Sequence, residues 1–310
     1  MPNIKSTNFY KTIFFIYSLL FFLSSSITFA SEPLVTSNWL NKNLNQSNIK
    51  ILDIRNRIDG GSIDEFIKSH IPNSIYSNYI EDGWRVQSKE GVPGVLPDIQ
   101  DLQNLIQSLG IGNDDHVIIV SGGTSSSDFG SAARVYWTFK TLSHDNVSIL
   151  NGGYQDWIQS GFENEIGLSS NKPSNFIAKF TSQYLAVTND VDSAIKNNEI
   201  ELIDARPSIQ YSGKEKSGAV SRFGTIPSSK NIQQNLITLV DSSKLKSKEE
   251  VRQLLLNQGV NNKLNAITFC NTGHWAAVSW FALSEYLGYS NVKMYDGSLA
   301  EWDHLEKDII

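Results

Sequence analysis

Short apolar runs alternate with amphipathic stretches along the first half of the chain. IKILDI (49–54), HVIIVS (116–121) and VSILN (147–151) consist mainly of apolar residues, which predicts strands buried on both faces. Between them, IQDLQNLIQSLG (99–110) and SAARVYWTFKTL (131–142) carry apolar residues at helical spacing. Buried strands separated by helices indicate an α/β fold with a mostly parallel central sheet and helices on both faces.

The second half shows the same alternation. It has predicted strands IELIDA (200–205), NAITFC (265–270) and NVKMYD (291–296), and predicted helices SKEEVRQLLLNQG (247–259) and WAAVSWFALSEYLG (275–288). The two halves are therefore expected to share one architecture.

Four motifs recur in the same order in both halves. The matched pairs are IKILDIR (49–55) with IELIDAR (200–206), HIPNSIY (70–76) with TIPSSKN (225–231), LIQSLGIGNDDHVIIVS (105–121) with LLLNQGVNNKLNAITFC (254–270), and SILNGGYQDWIQSG (148–161) with KMYDGSLAEWDHLE (293–306). Their starting residues differ by 151, 155, 149 and 145 positions. Such a nearly constant offset indicates a tandem duplication.

These patterns divide the chain into four predicted segments. Residues 1–30 combine a basic start, an apolar run and a small-residue ending at Ala30, which is typical of a cleaved export signal. A first domain over 31–166 and a second over 184–310 follow, joined by a linker at 167–183 that is rich in Ser, Asn and Pro. We therefore expect a periplasmic or secreted protein that does not span a membrane once its signal is removed.

Composition narrows the possible partners. Removal of two lysines with the signal changes the net charge from −6 to −8, so no general attraction to nucleic acid is expected. Five histidines and one cysteine show no metal-ligand spacing, and we expect neither a metal nor another cofactor.

The single cysteine, Cys270, closes the apolar run NAITF just before a glycine-containing loop and a predicted helix. Ligands of parallel α/β sheets bind beyond the carboxyl ends of the strands, where this residue lies. Backbone N–H groups of such a loop, together with the helix dipole, stabilise the thiolate, and Gly273 lets the loop curl around the sulfur. In the first copy Ser121 takes this place, in a loop that is four residues longer when Ala132 is aligned with Ala277, and we expect that domain to be catalytically inactive.

The motifs LIDAR, TIPSS, TFCNTGHWAA and MYDGSLAEW resemble those of two-domain rhodanese sulfurtransferases, which include thiosulfate and 3-mercaptopyruvate sulfurtransferases. The resemblance implies tandem rhodanese-like domains, and the cysteine loop resembles those of exported bacterial members. It also implies that Cys270 takes a sulfane sulfur from a small anionic donor and passes it, as a persulfide, to a thiophilic acceptor. We favour thiosulfate over 3-mercaptopyruvate as the donor.

The resemblance also proposes roles for further residues. The predicted substrate-binding residues are Asn271, Thr272, Gly273, His274, Trp275 and Arg206, and the predicted supporting residues are Asp204, Arg222 and Arg85. Arg206 would either bind the donor's anionic group or brace the loop through Asp204. His274 would hydrogen-bond the leaving group or exchange a proton. Arg85 follows Trp84 in a long irregular connection that could complete the pocket across the domain interface.

Three departures from the family pattern leave details open. The usual Gly-His-Ile-Pro becomes Gly-Thr-Ile-Pro at 224–227, with Thr225 in place of histidine. Gln210 stands where members often carry an arginine, and the loop CNTGHW matches neither the thiosulfate-preferring nor the mercaptopyruvate-preferring pattern.

Other functions fit the sequence less well. Phosphatase or arsenate reductase chemistry needs an arginine that closes the cysteine loop, and no arginine follows Cys270. Thiol–disulfide exchange lacks a second cysteine. The alternative that stays open is a non-catalytic rhodanese-like binding or sulfur-carrier module.

Overall fold

The computed structural model describes residues 31–168, 171–197, 199–260 and 265–310. The predicted signal at 1–30 lies outside the described residues. In the part described, no helix has both the length and the apolar character needed to cross a membrane.

The first domain is built around a parallel sheet. Its strands are β1 (Leu34–Val35), β2 (Ile49–Asp53), β3 (Ser74–Tyr76), β4 (Val86–Gln87), β5 (Pro93–Val95), β6 (His116–Val120) and β7 (Val147–Leu150). Its helices are α1 (Ser37–Asn43), α2 (Ile63–Lys68), α3 (Ile99–Ser108), α4 (Ser126–Thr141) and α5 (Gly153–Gln159). The sheet order is β1-β7-β6-β2-β3, while β4 and β5 form a separate antiparallel pair.

The second domain repeats this plan. Its strands are β8 (Leu185–Ala186), β9 (Ile200–Asp204), β10 (Lys230–Asn231), β11 (Asn265–Phe269) and β12 (Asn291–Tyr295). Its helices are α6 (Thr188–Lys196), α7 (Ser208–Tyr211), α8 (Lys248–Asn257), α9 (His274–Trp280) and α10 (Ser298–His304), with a 3-10 turn at Gln234–Leu236 and a π-helix at Phe281–Tyr286 that continues α9. The sheet order β8-β12-β11-β9-β10 is that of the first domain, element for element.

The register of the central strands is also duplicated. Asp53 pairs with Val120 in the first sheet, and Asp204 pairs with Phe269 in the second. Ser121 and Cys270 therefore follow equivalent strand ends, each next to an Asp-x-Arg motif. The predicted α/β fold with two mostly parallel sheets is confirmed.

The connection between the domains packs on the first domain. Phe176 is fully buried, and its carbonyl accepts a hydrogen bond from the Gln107 side chain at 2.8 Å. The Asn113 side chain bonds both the amide and the carbonyl of Ile177. Although residues 171–182 form no helix or strand, these contacts fix the path of the chain into the second domain.

Helices α4 and α9 pack together and form the core of the domain interface. Phe281, which follows α9, makes edge-on contacts with Phe129 and Tyr136 of α4 at ring-centroid distances of 5.5 and 5.0 Å. The Tyr136 hydroxyl also donates to Glu285 at 2.8 Å. One buried apolar cluster runs through both domains, so the two sheets are held in a fixed relation.

Truncation of the central aromatic residue of this interface tests how much the interface contributes. We expect Phe281→Ala to lower the free energy of unfolding by about 3–5 kcal/mol, because it leaves a cavity between the domains. Leu305→Ala, at a side chain that is 48% exposed, should change it by less than about 0.5 kcal/mol. Urea unfolding measures both; equal effects of the two variants would show that the interface contributes little.

Candidate active site

Cys270 lies directly beyond β11, and its side chain is only 1% exposed. Its carbonyl accepts from the amide of Leu299, and the carbonyl of Asn271 accepts from Ala300 at the same distance of 3.0 Å. Residues 270–273 form the cysteine loop. These bonds tie its first two residues, Cys270 and Asn271, to the start of α10. Within the described residues, the amides of Asn271 and Thr272 donate to no protein acceptor.

Ser298 fixes the two ends of the cysteine loop. Its hydroxyl accepts from the amides of Cys270 at 3.2 Å and Gly273 at 3.0 Å, and donates to the carbonyl of Tyr295 at 2.9 Å. Gly273 has a φ of +76°, a left-handed conformation that glycine adopts without strain. The loop therefore curls back on itself, as its glycine predicted.

Two arginines from the first domain contact the cysteine loop. Arg85 donates from Nη2 to the carbonyl of Thr272 at 2.6 Å and to its Oγ1 at 3.0 Å. Arg134, fully buried in α4, donates to the carbonyl of Gly273 at 3.4 Å and forms an ion pair with Asp296 at 2.5 Å. The sequence identified Arg85 but not Arg134, because the helix that carries Arg134 has the pattern of an ordinary buried helix.

His274 lies in the domain interface, with both ring nitrogens engaged. Nδ1 is 2.8 Å from the Tyr79 hydroxyl, and Nε2 is 2.8 Å from the carbonyl of Ser127. Because a carbonyl only accepts, Nε2 carries the proton and Nδ1 accepts from Tyr79. Burial, reinforced by the charge of Arg85, lowers the pKa of His274 to about 3. The hydrogen bonds of the His274 ring thus join the two domains, and a role in substrate binding or proton exchange stays a prediction for this residue.

Trp275 also contacts the first domain. Its side chain is half-buried, and Nε1 donates to the Ser127 hydroxyl at 2.8 Å. A contact with substrate stays a prediction for this residue.

Arg206 braces the loop that follows β9. Nε donates to both carboxylate oxygens of Asp204 at 3.0 Å, and Nη2 donates to the carbonyl of Gly224 at 2.8 Å. Arg55 repeats the arrangement in the first domain, with Asp53 and the carbonyl of Ser69 as its partners. Because the pair recurs in the domain without the cysteine, the geometry favours the bracing role over donor binding.

Thr225, which stands where the family pattern has histidine, is buried and hydrogen-bonded. Its hydroxyl donates to Asp204 at 2.7 Å and lies 3.0 Å from the Ser229 hydroxyl. Its backbone pairs with that of Ile310, as the backbone of His70 pairs with Glu165 in the first domain. Thr225 thus supports the Asp204–Arg206 pair.

Arg222 pairs with Asp303, whereas Gln210 contacts the cysteine loop. Arg222 forms an ion pair with Asp303 at 2.5 Å. Although burial alone would raise the pKa of Asp303, hydrogen bonds from Arg222 and Ser221 lower it to about 2. Gln210 accepts a hydrogen bond from the Asn271 side chain at 2.9 Å, so an uncharged amide pair borders the cysteine.

The matching loop of the first domain holds a carboxylate of its own. Asp128 accepts from the amides of Gly122, Gly123 and Thr124 and from the Ser121 hydroxyl. Burial, followed by the nearby charge of Asp59, raises the pKa of Asp128 to about 8. The loop amides that would face a ligand are thus already bonded.

The extra residues of this first-domain loop lie in the helix that follows. Because α4 begins at Ser126 and α9 at His274, the connections that precede them differ by one residue rather than the expected four. The other additional residues form the first turn of α4.

Comparison with known proteins agrees with this architecture. The Rhodanese-like domain family matches residues 36–160 and 187–305. A Haloferax volcanii protein, provisionally named thiosulfate sulfurtransferase, is 30% identical over 292 residues, covering 91% of this chain and 96% of the relative. The 3-mercaptopyruvate sulfurtransferase of Escherichia coli K12 is 28% identical over 275 residues, covering 86% of this chain and 94% of the relative.

Solved structures give the same result. The chain superposes on SseA from Escherichia coli, a 3-mercaptopyruvate sulfotransferase, with a TM-score of 0.76 and 26% identity over 86% of this chain and 99% of SseA. Wild-type EanB shares the fold alone, with a TM-score of 0.75 at 17% identity, over 89% of this chain and 68% of EanB. The fold and the cysteine loop therefore define a two-domain sulfurtransferase, and the chain belongs to the rhodanese family.

The neutral His274 makes stability depend on pH. Its folded-state pKa lies below the unfolded value, so its contribution is present above pH ~6.5 and is lost as the pH falls toward 3. We expect the free energy of unfolding to fall less steeply with decreasing pH in His274→Gln than in the wild type. The two slopes should differ by up to about 1.4 kcal/mol per pH unit. The other buried histidines are present in both proteins and cancel in the difference. Parallel curves from urea unfolding between pH 4 and 7 would contradict this assignment.

The Thr225 hydroxyl should affect stability rather than sulfur transfer. Thr225→Val removes a hydrogen bond to a buried carboxylate and should cost about 1–3 kcal/mol. Thr225→Ser keeps the hydroxyl and serves as the control. If instead kcat falls in Thr225→Val while its melting temperature is unchanged, the residue acts in the reaction.

Proposed function

We propose that Cys270 accepts a sulfane sulfur from thiosulfate and passes it as a persulfide to a thiophilic acceptor. The observation that carries this proposal is the placement of the one cysteine beyond β11, in a loop whose Asn271 and Thr272 amides have no protein acceptor within the described chain. Such amides stabilise negative charge that develops on a sulfur or oxygen beside them.

The reaction balances in two steps. In the first, the Cys270 thiolate attacks the outer sulfur of thiosulfate; the sulfur–sulfur bond of the donor breaks, and sulfite leaves with its electron pair. In the second, cyanide or a thiolate attacks the outer sulfur of the persulfide and regenerates the Cys270 thiolate. The predicted export signal would place this reaction outside the cytoplasm.

The surroundings of Cys270 support thiosulfate as the donor. The neighbouring Asn271–Gln210 pair is uncharged, and Arg206 and Arg85 each donate to protein oxygens. In thiosulfate the charged oxygens lie one bond from the inner sulfur, so loop amides next to Cys270 can reach them. The carboxylate of 3-mercaptopyruvate is farther from its sulfur and would need a separate cation.

Intact-protein mass measurement tests the persulfide directly. The mature, reduced protein should gain the mass of one sulfur atom with thiosulfate and lose it again with cyanide. Cys270→Ser should gain nothing, because it lacks the nucleophile. Ser121→Ala, changed at the equivalent strand end of the first domain, should load like the wild type.

The same experiment separates the alternatives. Faster loading from 3-mercaptopyruvate than from thiosulfate would overturn the donor assignment but keep the persulfide. Failure to load from either donor, with the thiol shown to be free, would contradict the transfer mechanism and favour a binding module.

A further inference from the structure

We propose that the first domain, which contains no cysteine, positions the cysteine loop for transfer through Arg85 and Arg134. The inference builds on the proposed persulfide chemistry of Cys270. It concerns the loop's geometry, however, and can be tested separately from that chemistry.

Arg85 reaches the loop from the connection that leads into the β4–β5 pair. Nη2 contacts both oxygens of Thr272, and Nε donates to the carbonyl of Gly94 at 3.2 Å. The guanidinium carbon also lies 5.8 Å from the centre of the Tyr79 ring. Arg85 is thus held by its own domain while it binds the loop of the other.

Arg134 approaches the next peptide of the loop from α4. Its guanidinium lies 4.6 Å from the Trp137 ring, donates to the carbonyls of Gly94 and Gly273, and pairs with Asp296. A Cβ added at Gly273 would lie 2.8 Å from the carbonyl oxygen of Asp296 and closer still to Nη1 of Arg134. The absence of a side chain at Gly273 is therefore what lets the arginine reach the backbone.

Binding a carbonyl fixes the direction of the N–H group in the same peptide. Arg85 and Arg134 hold the peptides that carry the amides of Gly273 and His274, while Leu299 and Ala300 of α10 hold those that carry the amides of Asn271 and Thr272. In a planar trans peptide the carbonyl and the following N–H point in opposite directions. Arg85 holds the carbonyl of Thr272, and Ser298 accepts from the amide of Gly273 on the other side of the same peptide. That peptide is held from both ends, so it cannot rotate without breaking a hydrogen bond.

The two arginines are engaged with the protein and are poorly placed to bind the donor directly. Arg134 is fully buried and ion-paired, and Arg85 uses Nη2 and Nε for backbone and hydroxyl oxygens. A donor-binding role would need these groups to exchange partners. We therefore describe Arg85 and Arg134 as positioning residues.

The decisive variants are Arg85→Gln and Arg134→Lys, the latter keeping its charge beside Asp296. We expect kcat for sulfur transfer to fall by about tenfold to a hundredfold, as for loss of a charge-assisted hydrogen bond, with KM for thiosulfate within about threefold of the wild type. Arg85→Lys should recover part of the loss, because its ammonium can still bind one oxygen of Thr272.

Tyr136→Phe is the matched control. This change removes the interdomain hydrogen bond to Glu285 from the same helix as Arg134. In the described part of the chain, the hydrogen bond and ring contacts of Tyr136 are with Glu285, Trp280 and Phe281, not with the cysteine loop. The kcat of Tyr136→Phe should equal that of the wild type, even if thermal unfolding shows that this variant loses as much stability as the arginine variants. An equal fall of kcat in Tyr136→Phe would show that the arginines act only as general interface contacts. A rise of KM alone in Arg85→Gln would show that Arg85 binds the donor. Either result overturns the proposal.

Alkylation of Cys270 by iodoacetamide supplies a measurement that needs no sulfur donor. Because the thiol is 1% exposed, a loosened loop should react several-fold faster in Arg85→Gln, and Tyr136→Phe should not change the rate. If the wild type never forms a persulfide, the proposed function fails while this measurement still decides the positioning role. An unchanged alkylation rate in both arginine variants would contradict positioning even in an active enzyme.

Discussion

The packing of α4 on α9 is the constraint on which the rest of the site depends. It brings Gly130 so close to His274 that a Cβ there would lie 2.9 Å from Nε2. The same approach carries Arg134 to the carbonyl of Gly273. Since α9 begins where the cysteine loop ends, the packing between the domains also determines the shape of the loop. A single rhodanese-like domain with this sequence would lack Arg85 and Arg134, two of the residues that hold its loop.

The two strand-end loops show how one duplicated unit acquired two roles. In the first domain the Asp128 side chain accepts hydrogen bonds from the amides of Gly122, Gly123 and Thr124, so the loop amides are occupied by a residue of the same domain. In the second domain the loop is held through its carbonyls and through Ser298, and the amides of Asn271 and Thr272 have no acceptor in the described part of the chain. Buried polar groups are retained when they are hydrogen-bonded, and here those hydrogen bonds lie where they shape a loop.

Most of the fold followed from the sequence, because buried parallel strands and amphipathic helices leave strong local patterns and the duplication displays each pattern twice. The position of Cys270 at a strand end was equally accessible. The first-domain residues that contact the cysteine loop were harder to predict. Arg134 sits in a helix whose residues are almost all buried, so periodicity marks no functional face, and the Tyr79–His274 bond joins residues 195 positions apart. The interdomain contacts of His274 could not be predicted either, because nothing in CNTGHW indicates that another domain covers it.

The most direct test of this account is a crystal structure of the protein after reaction with thiosulfate. The account predicts a second sulfur bonded to Sγ of Cys270, within hydrogen-bonding distance of the Asn271 and Thr272 amides, with Arg85 still on the carbonyl of Thr272. An unmodified thiol with thiosulfate bound at another place, or a persulfide that points away from the loop amides, would contradict it.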